Sequence, residues 1–172
     1  MIKDILKQAW LFIVLVLVQI LVLNRIQISG FLNPYLYVLF ILFLPVGINR
    51  SILMVLSFFV GLVIDIFSNT PGMHAGACVL IAFIRPLIIK TLSSRDTLSP
   101  DSCPSLREYG WPWYIKYASV AVLCHHFFLF FIEQFDHLFF WSTLLRIILS
   151  SVATVVLIIV AQFFLPVKVD RR

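Results

Sequence analysis

The side chains that could do chemistry in this sequence are few, and they sit inside apolar runs. Asp65 ends one run, Arg85 lies late in the next and Arg146 opens the last. His125, His126 and Glu133 share another run. His125 and Glu133 are eight residues apart, on one face of a helix, while His126 points about a third of a turn away. Two histidines and an acid suggest a metal site or a proton relay. No His-Glu-x-x-His pattern supports a metal, and adjacent histidines do not converge on one ion. A hydrogen-bonded helix contact is the plainer account. His74, at the start of a run, is expected to be interfacial.

Asp65 could bind a ligand, an ion or a partner, or it could pair with a base and fix helix packing. Arg146 is its expected mate, because both lie near the same ends of their runs. Glu133 competes for that arginine. If the pair forms, losing Asp65 alone costs more than losing both partners. Arg85 either snorkels to the aqueous face or faces a partner or the core. Arg146, Ser150, Thr154 and Gln162 keep a four-residue rhythm, interrupted at Ile158, and should face the bundle interior. No Gly-rich phosphate loop, nucleophile elbow or CxxC motif occurs. Cys78 and Cys124 lie in apolar runs and Cys103 in a polar loop; their spacing is not that of a zinc site, and free thiols are expected.

The elements that must position these groups follow from composition. The 172 residues are 62% hydrophobic and 12% charged, with a mean hydropathy of +1.05. Soluble domains are about half apolar and a quarter charged, and a soluble fold of this size could not hide so much apolar surface. The runs are continuous rather than alternating, which excludes a β-barrel pattern. The fold class is therefore an all-α polytopic membrane protein, a single domain over 1–172. Its net charge of +5 is scattered between runs, which speaks for membrane topology and against nucleic acid.

Six spans are expected, at 9–23, 35–48, 51–67, 74–89, 114–132 and 141–165, with an inner loop at 90–113. The first resembles a signal peptide, but no small-residue cleavage site follows it. It is taken as a retained span, with Gln19 its one deep polar residue. Gly30 breaks the connector after it, and Asn33-Pro34 signals a helix start. The second span is short for a bilayer; Pro45 could kink it, or it could cross only in part. Asn49-Arg50 makes a tight turn. With the N-terminus inside, ten lysines and arginines fall on inner segments: Lys3, Lys7, Arg50, Lys90, Arg95, Arg107, Lys116, Lys168, Arg171 and Arg172. Arg25 alone is outside, so both termini are expected in the cytoplasm.

Ser57, Gly61 and Asp65 are four apart and share one face. Small residues at that spacing let a second helix approach closely in lipid. A carboxylate there must face protein or water. The hairpin from Ser57 to Ile89 should thus be the buried centre of the bundle.

Six spans in so short a chain, Asn33-Pro34, the stretch from Gly61 through Asp65 to Ser68, and Pro71-Gly72-Met73-His74-Ala75 together resemble the MreD family of bacterial rod-shape-determining proteins, in its Bacteroidetes-type form. The specific part of the likeness is 33–86. The loop at 90–113 and the polar set near 125–133 match no pattern of that family. The resemblance implies an inner-membrane protein of the cell-wall elongation machinery. It would work with the bitopic protein MreC and indirectly with the actin-like MreB and the peptidoglycan polymerase and transpeptidase. It also implies a six-helix fold like the vitamin-binding subunits of energy-coupling-factor transporters. Gly61, Asp65, Gly72 and Arg85 carry over as motif positions only, with no chemistry, metal or cofactor attached.

Three functions compete. The first is a non-enzymatic scaffold, with Gly61, Asp65, Gly72, Arg85, His125, Glu133 and Arg146 as buried polar or partner-binding positions. The second is a small-molecule, vitamin-type binding subunit of a transporter, with Asp65 and the last span's polar stripe lining a pocket. The third is an intramembrane enzyme using His125, His126 and Glu133.

Overall fold

A computed structural model describes residues 2–25, 32–93, 99–134 and 140–165, with side chains from residue 6 onward. The chain is all-helical. Its helices are α1 (Ile2–Leu21), α2 (Val38–Phe43), α3 (Arg50–Ser68), α4 (Met73–Leu92), α5 (Leu106–Tyr109), α6 (Trp111–Glu133) and α7 (Phe140–Phe164). Five stretches are long and apolar enough to cross a membrane: Leu6–Arg25, Arg50–Ser68, Met73–Leu92, Trp111–Glu133 and Phe140–Phe164. That is what a multi-pass membrane protein requires. Gly30, Arg95 and the basic tail from Lys168 lie outside the described residues.

Chemistry at the helix ends explains the boundaries. The Asn49 side chain accepts from the amides of Ser51 and Ile52 and starts α3, as N-cap asparagine does. Asn69 ends α3 in the left-handed conformation, at φ 56°, where asparagine is better tolerated than most residues. The polar loop is less plain than its composition suggests. Ser105 caps the short α5 by accepting from the Glu108 amide, and α6 begins at Trp111, with Pro112 in its first turn. Cys78 and Cys124 are free thiols.

α3 packs most extensively on α4, α4 on α6 and α6 on α7. At one end, Gln8 of α1 lies beside Cys103 of the polar loop; this is the N-terminal end. At the far end, Asn24 donates to Ser68, so α1 and α3 run in the same direction.

The expected second span is not one continuous helix. Only Val38–Phe43 is helical within 35–48. The helix stops because Leu44 precedes Pro45, which disfavours helical backbone at that position, and Leu44 is extended at ψ 151°. Asn33-Pro34 does not start a helix; four residues separate Asn33 from Val38. None of residues 36–44 is more than 8% exposed. Asn33 lies level with Ser150, about two-fifths of the way along α7, whereas the Gly47 amide donates to Pro100 in the polar loop at 2.7 Å. The segment therefore runs buried through the bundle, from the level of Ser150 to the polar loop. The buried centre is this segment packed against the α3–α4 hairpin, rather than the hairpin alone. Non-helical backbone at membrane depth is tolerated only where protein or trapped water surrounds it, and here protein does.

Candidate functional site

The α3–α4 hairpin shows what its spaced small and acidic residues are for. Ser57, Gly61 and Asp65 are all buried, on one face of α3. A Cβ on Gly61 would lie 2.4 Å from the Ala75 Cα and 2.5 Å from the His74 carbonyl oxygen, so the two backbones touch there. Asp65 does not meet Arg146. Its Oδ1 accepts from the Thr70 hydroxyl at 2.9 Å and the His74 amide at 3.0 Å. Its Oδ2 accepts from the Ala75 amide at 2.9 Å. The carboxylate thus satisfies two of the amides that a helix start leaves open, with favourable charge against the helix dipole. Gly72, at φ 83°, makes the reversal that brings α4 back onto it.

Glu133 wins the competition for Arg146. Its Oε2 lies 3.2 Å from Arg146 Nη1. With the Asn33 amide turned to place its oxygen toward the guanidinium, Asn33 accepts from Nη2 at 2.6 Å and Nε at 3.0 Å. The guanidinium also stacks on Phe130, 4.4 Å from the ring centre. The reason is position: Asp65 is drawn to the amides of its own hairpin, and Glu133 ends the helix that leads into α7.

Arg85 faces the core and does not snorkel, being 1% exposed. It donates to the carbonyls of Leu42, Leu44 and Pro45, where α2 has ended and the backbone has lost its helical partners. Its Nε donates to the Tyr117 hydroxyl at 2.8 Å, which in turn donates to Leu42 at 3.1 Å. The opposite end of the segment is served likewise. The Ser150 hydroxyl accepts from the Asn33 amide and the Thr154 hydroxyl from the Tyr35 amide. Gln19 accepts from the Leu36 amide and donates to the Pro34 carbonyl. The α7 stripe faces inward as expected, with Ser150, Thr154, Ile158 and Gln162 buried. Two of its members hold backbone amides, and Gln162 donates to the Tyr114 hydroxyl.

The histidines part company. The Tyr37 hydroxyl lies 2.7 Å from His74 Nδ1 and 2.9 Å from His125 Nε2, so it donates to one ring and accepts from the other. His74 is 3% exposed and is not interfacial: the turn at Gly72 folds it under Tyr37. His126 turns toward Val122 and Thr154. His125 is buried, whereas Glu133 sits at the far end against Arg146. The three do not share a partner.

At the far end these groups enclose a cavity of about 270 Å³. Its polar lining comprises Gln19, Asn24, Asn33, Tyr35, Ser68, Thr70, His74, Glu133 and Arg146. Tyr35 packs against the rings of Tyr37, His74, His125, His126 and Phe130, which form the floor beneath it. Tyr35, Tyr37, Asn33 and Tyr117 were not among the expected site residues. The polar-aromatic spacing of Asn33, Tyr35 and Tyr37, just ahead of an apolar run, was the available signal.

Fold and site together define an all-α membrane bundle with a buried broken segment and a polar cavity at one end. No family model matches the chain, and neither a curated protein nor a solved structure does.

Proposed function

We propose that this chain is a non-enzymatic membrane scaffold of the bacterial cell-wall elongation complex, of the MreD kind. It would bind an MreC-like bitopic partner and link it to the MreB-like cytoskeleton and the peptidoglycan polymerase and transpeptidase. One observation carries this reading: the residues of the resembling motif are spent on rigidity. Gly61 lets two helices touch, and Asp65 fastens the start of α4. Arg85 and Arg146 likewise have intramolecular partners, which suits a fixed platform. The path of residues 33–47 through the bundle supports six crossings, five as long helices and one as the broken segment. Six crossings, with the count of basic residues, would leave both termini in the cytoplasm and the far end outside the inner membrane. The same layout supports the fold of the energy-coupling-factor binding subunits. Co-purification from membranes tests the scaffold. The MreC-like protein should be enriched over its level with an unrelated six-span protein; equal recovery refutes the reading.

The far-end cavity favours a second reading, a small-molecule binding subunit of a transporter. Asp65 and most of the α7 stripe are occupied elsewhere, so Tyr35, Asn24, Thr70 and the Arg146–Glu133 pair would carry recognition.

A further inference from the structure

We propose that the far-end cavity binds a single neutral sugar ring. The inference rests on the small-molecule reading and names its ligand class.

Size sets the first limit. A cavity of about 270 Å³ holds the volume of roughly nine waters. That suits one pyranose or a solute of similar size. Charge sets the second. Among the described residues the lining carries one cation and one anion, and they already face each other at 3.2 Å. Asn33 takes further donors of Arg146. An ionic ligand would have to break this arrangement, whereas a neutral one can leave it standing.

The remaining groups define the chemistry. Asn24, Ser68 and Thr70 bring an amide and two hydroxyls to the wall, whereas the Gln19 amide is already taken by Asn24, Pro34 and Leu36. Asn24 and Ser68 are already oriented by a hydrogen bond of 3.1 Å. Tyr35 lies in the fields of both Glu133 and Arg146, and its hydroxyl has no hydrogen-bond partner among the described residues. A mostly buried hydroxyl left open at a cavity wall is costly unless a ligand or water takes it. Amides that donate and accept together match vicinal hydroxyls, and the Glu133 carboxylate offers a further acceptor. Tyr35 and Phe67 add aromatic rings to the wall. Small-molecule pockets are usually lined mainly by hydrophobic and aromatic side chains, whereas polar side chains make up much of this wall.

The test uses the full chain in lipid nanodiscs, with binding read by saturation-transfer NMR. The probes are glucose, N-acetylglucosamine and chitotriose, with glutamine as a zwitterion and thiamine as a vitamin. The expected result is saturable binding of a free sugar, or of chitotriose through its terminal ring; the two arms separate a free solute from the end of a glycan. Tyr35→Phe should weaken that binding about ten-fold, the worth of one good hydrogen bond, without moving the melting midpoint of the unliganded protein. Met73→Trp, which fills the cavity from its wall, should abolish binding and serves if Tyr35→Phe does not fold. Sugar binding that survives both substitutions overturns the assignment to this cavity. Preference for glutamine or thiamine overturns the sugar class and leaves the small-molecule reading standing. No binding by any probe overturns both.

Discussion

Replacing Asp65 separates two accounts of this protein. If the carboxylate were half of an ion pair with Arg146, deleting it would strand a cation, and removing Arg146 as well would restore stability. The observed contacts say otherwise. Asp65→Ala removes the acceptor for the His74 and Ala75 amides, now at 3.0 and 2.9 Å. Each buried amide left open costs about 1–3 kcal/mol. The Thr70 hydroxyl loses its partner too, but it lines the cavity and can turn to water. Relief from burying a carboxylate offsets part of this, leaving a loss of about 2–4 kcal/mol. Asp65→Asn keeps one acceptor oxygen but turns an N–H toward a backbone N–H, at about 1–3 kcal/mol. The Asp65→Ala and Arg146→Ala effects should add within about 0.5 kcal/mol. Glu133→Ala and Arg146→Ala should instead show a coupling of about 0.2–1 kcal/mol, because that pair is partly exposed. Reversible unfolding of the full chain in mixed micelles measures all of these. Recovery of Asp65→Ala by Arg146→Ala would refute the capping account, as would wild-type stability of Asp65→Asn.

Three further substitutions probe the interior. Gly61→Ala places a Cβ 2.4 Å from the Ala75 backbone, so α3 and α4 must separate; a loss of about 1–3 kcal/mol is expected in the same unfolding assay, and an unchanged midpoint would mean that the helices do not touch there. Arg85→Lys keeps the charge but cannot fan out to the Leu42, Leu44 and Pro45 carbonyls and Tyr117 at once. It should lose about 1–3 kcal/mol and speed amide hydrogen exchange in residues 38–47, and native exchange there counts against Arg85 as the holder of α2's end. Tyr37→Phe strips the hydroxyl that joins His74 to His125 and should cost about 1–3 kcal/mol; imidazole NMR signals unaltered at both histidines would contradict the bridge.

The long helices were legible because their apolar runs exceed what any other element needs. The shared face of Ser57, Gly61 and Asp65, and the inward stripe on α7, were legible because helical spacing fixes them. The partners of the polar residues were not. A sequence displays charges that can pair with other charges, so Asp65 suggested Arg146. It does not display the backbone groups that a helix start or a broken segment leaves open, and these are what Asp65, Arg85, Gln19, Ser150 and Thr154 meet. The break itself was half legible. Pro45 marked its end, but residues 36–44 read as a short membrane helix, because an apolar run does not show that it is buried on every side. His74 looked interfacial because it starts a helix; only the close approach at Gly61 and the turn at Gly72 reveal that this helix starts inside the bundle.

The broken segment has a consequence for how such a chain is made. Its amides at Asn33 and Tyr35 are met by hydroxyls of Ser150 and Thr154, more than a hundred residues later in synthesis. Until the last helix emerges from the ribosome, that stretch has no settled place among hydrocarbon tails and must wait in the insertion machinery or against a chaperone. Nonsense mutations that remove α7 should therefore yield a chain cleared by membrane proteases, not one that is merely short of a helix.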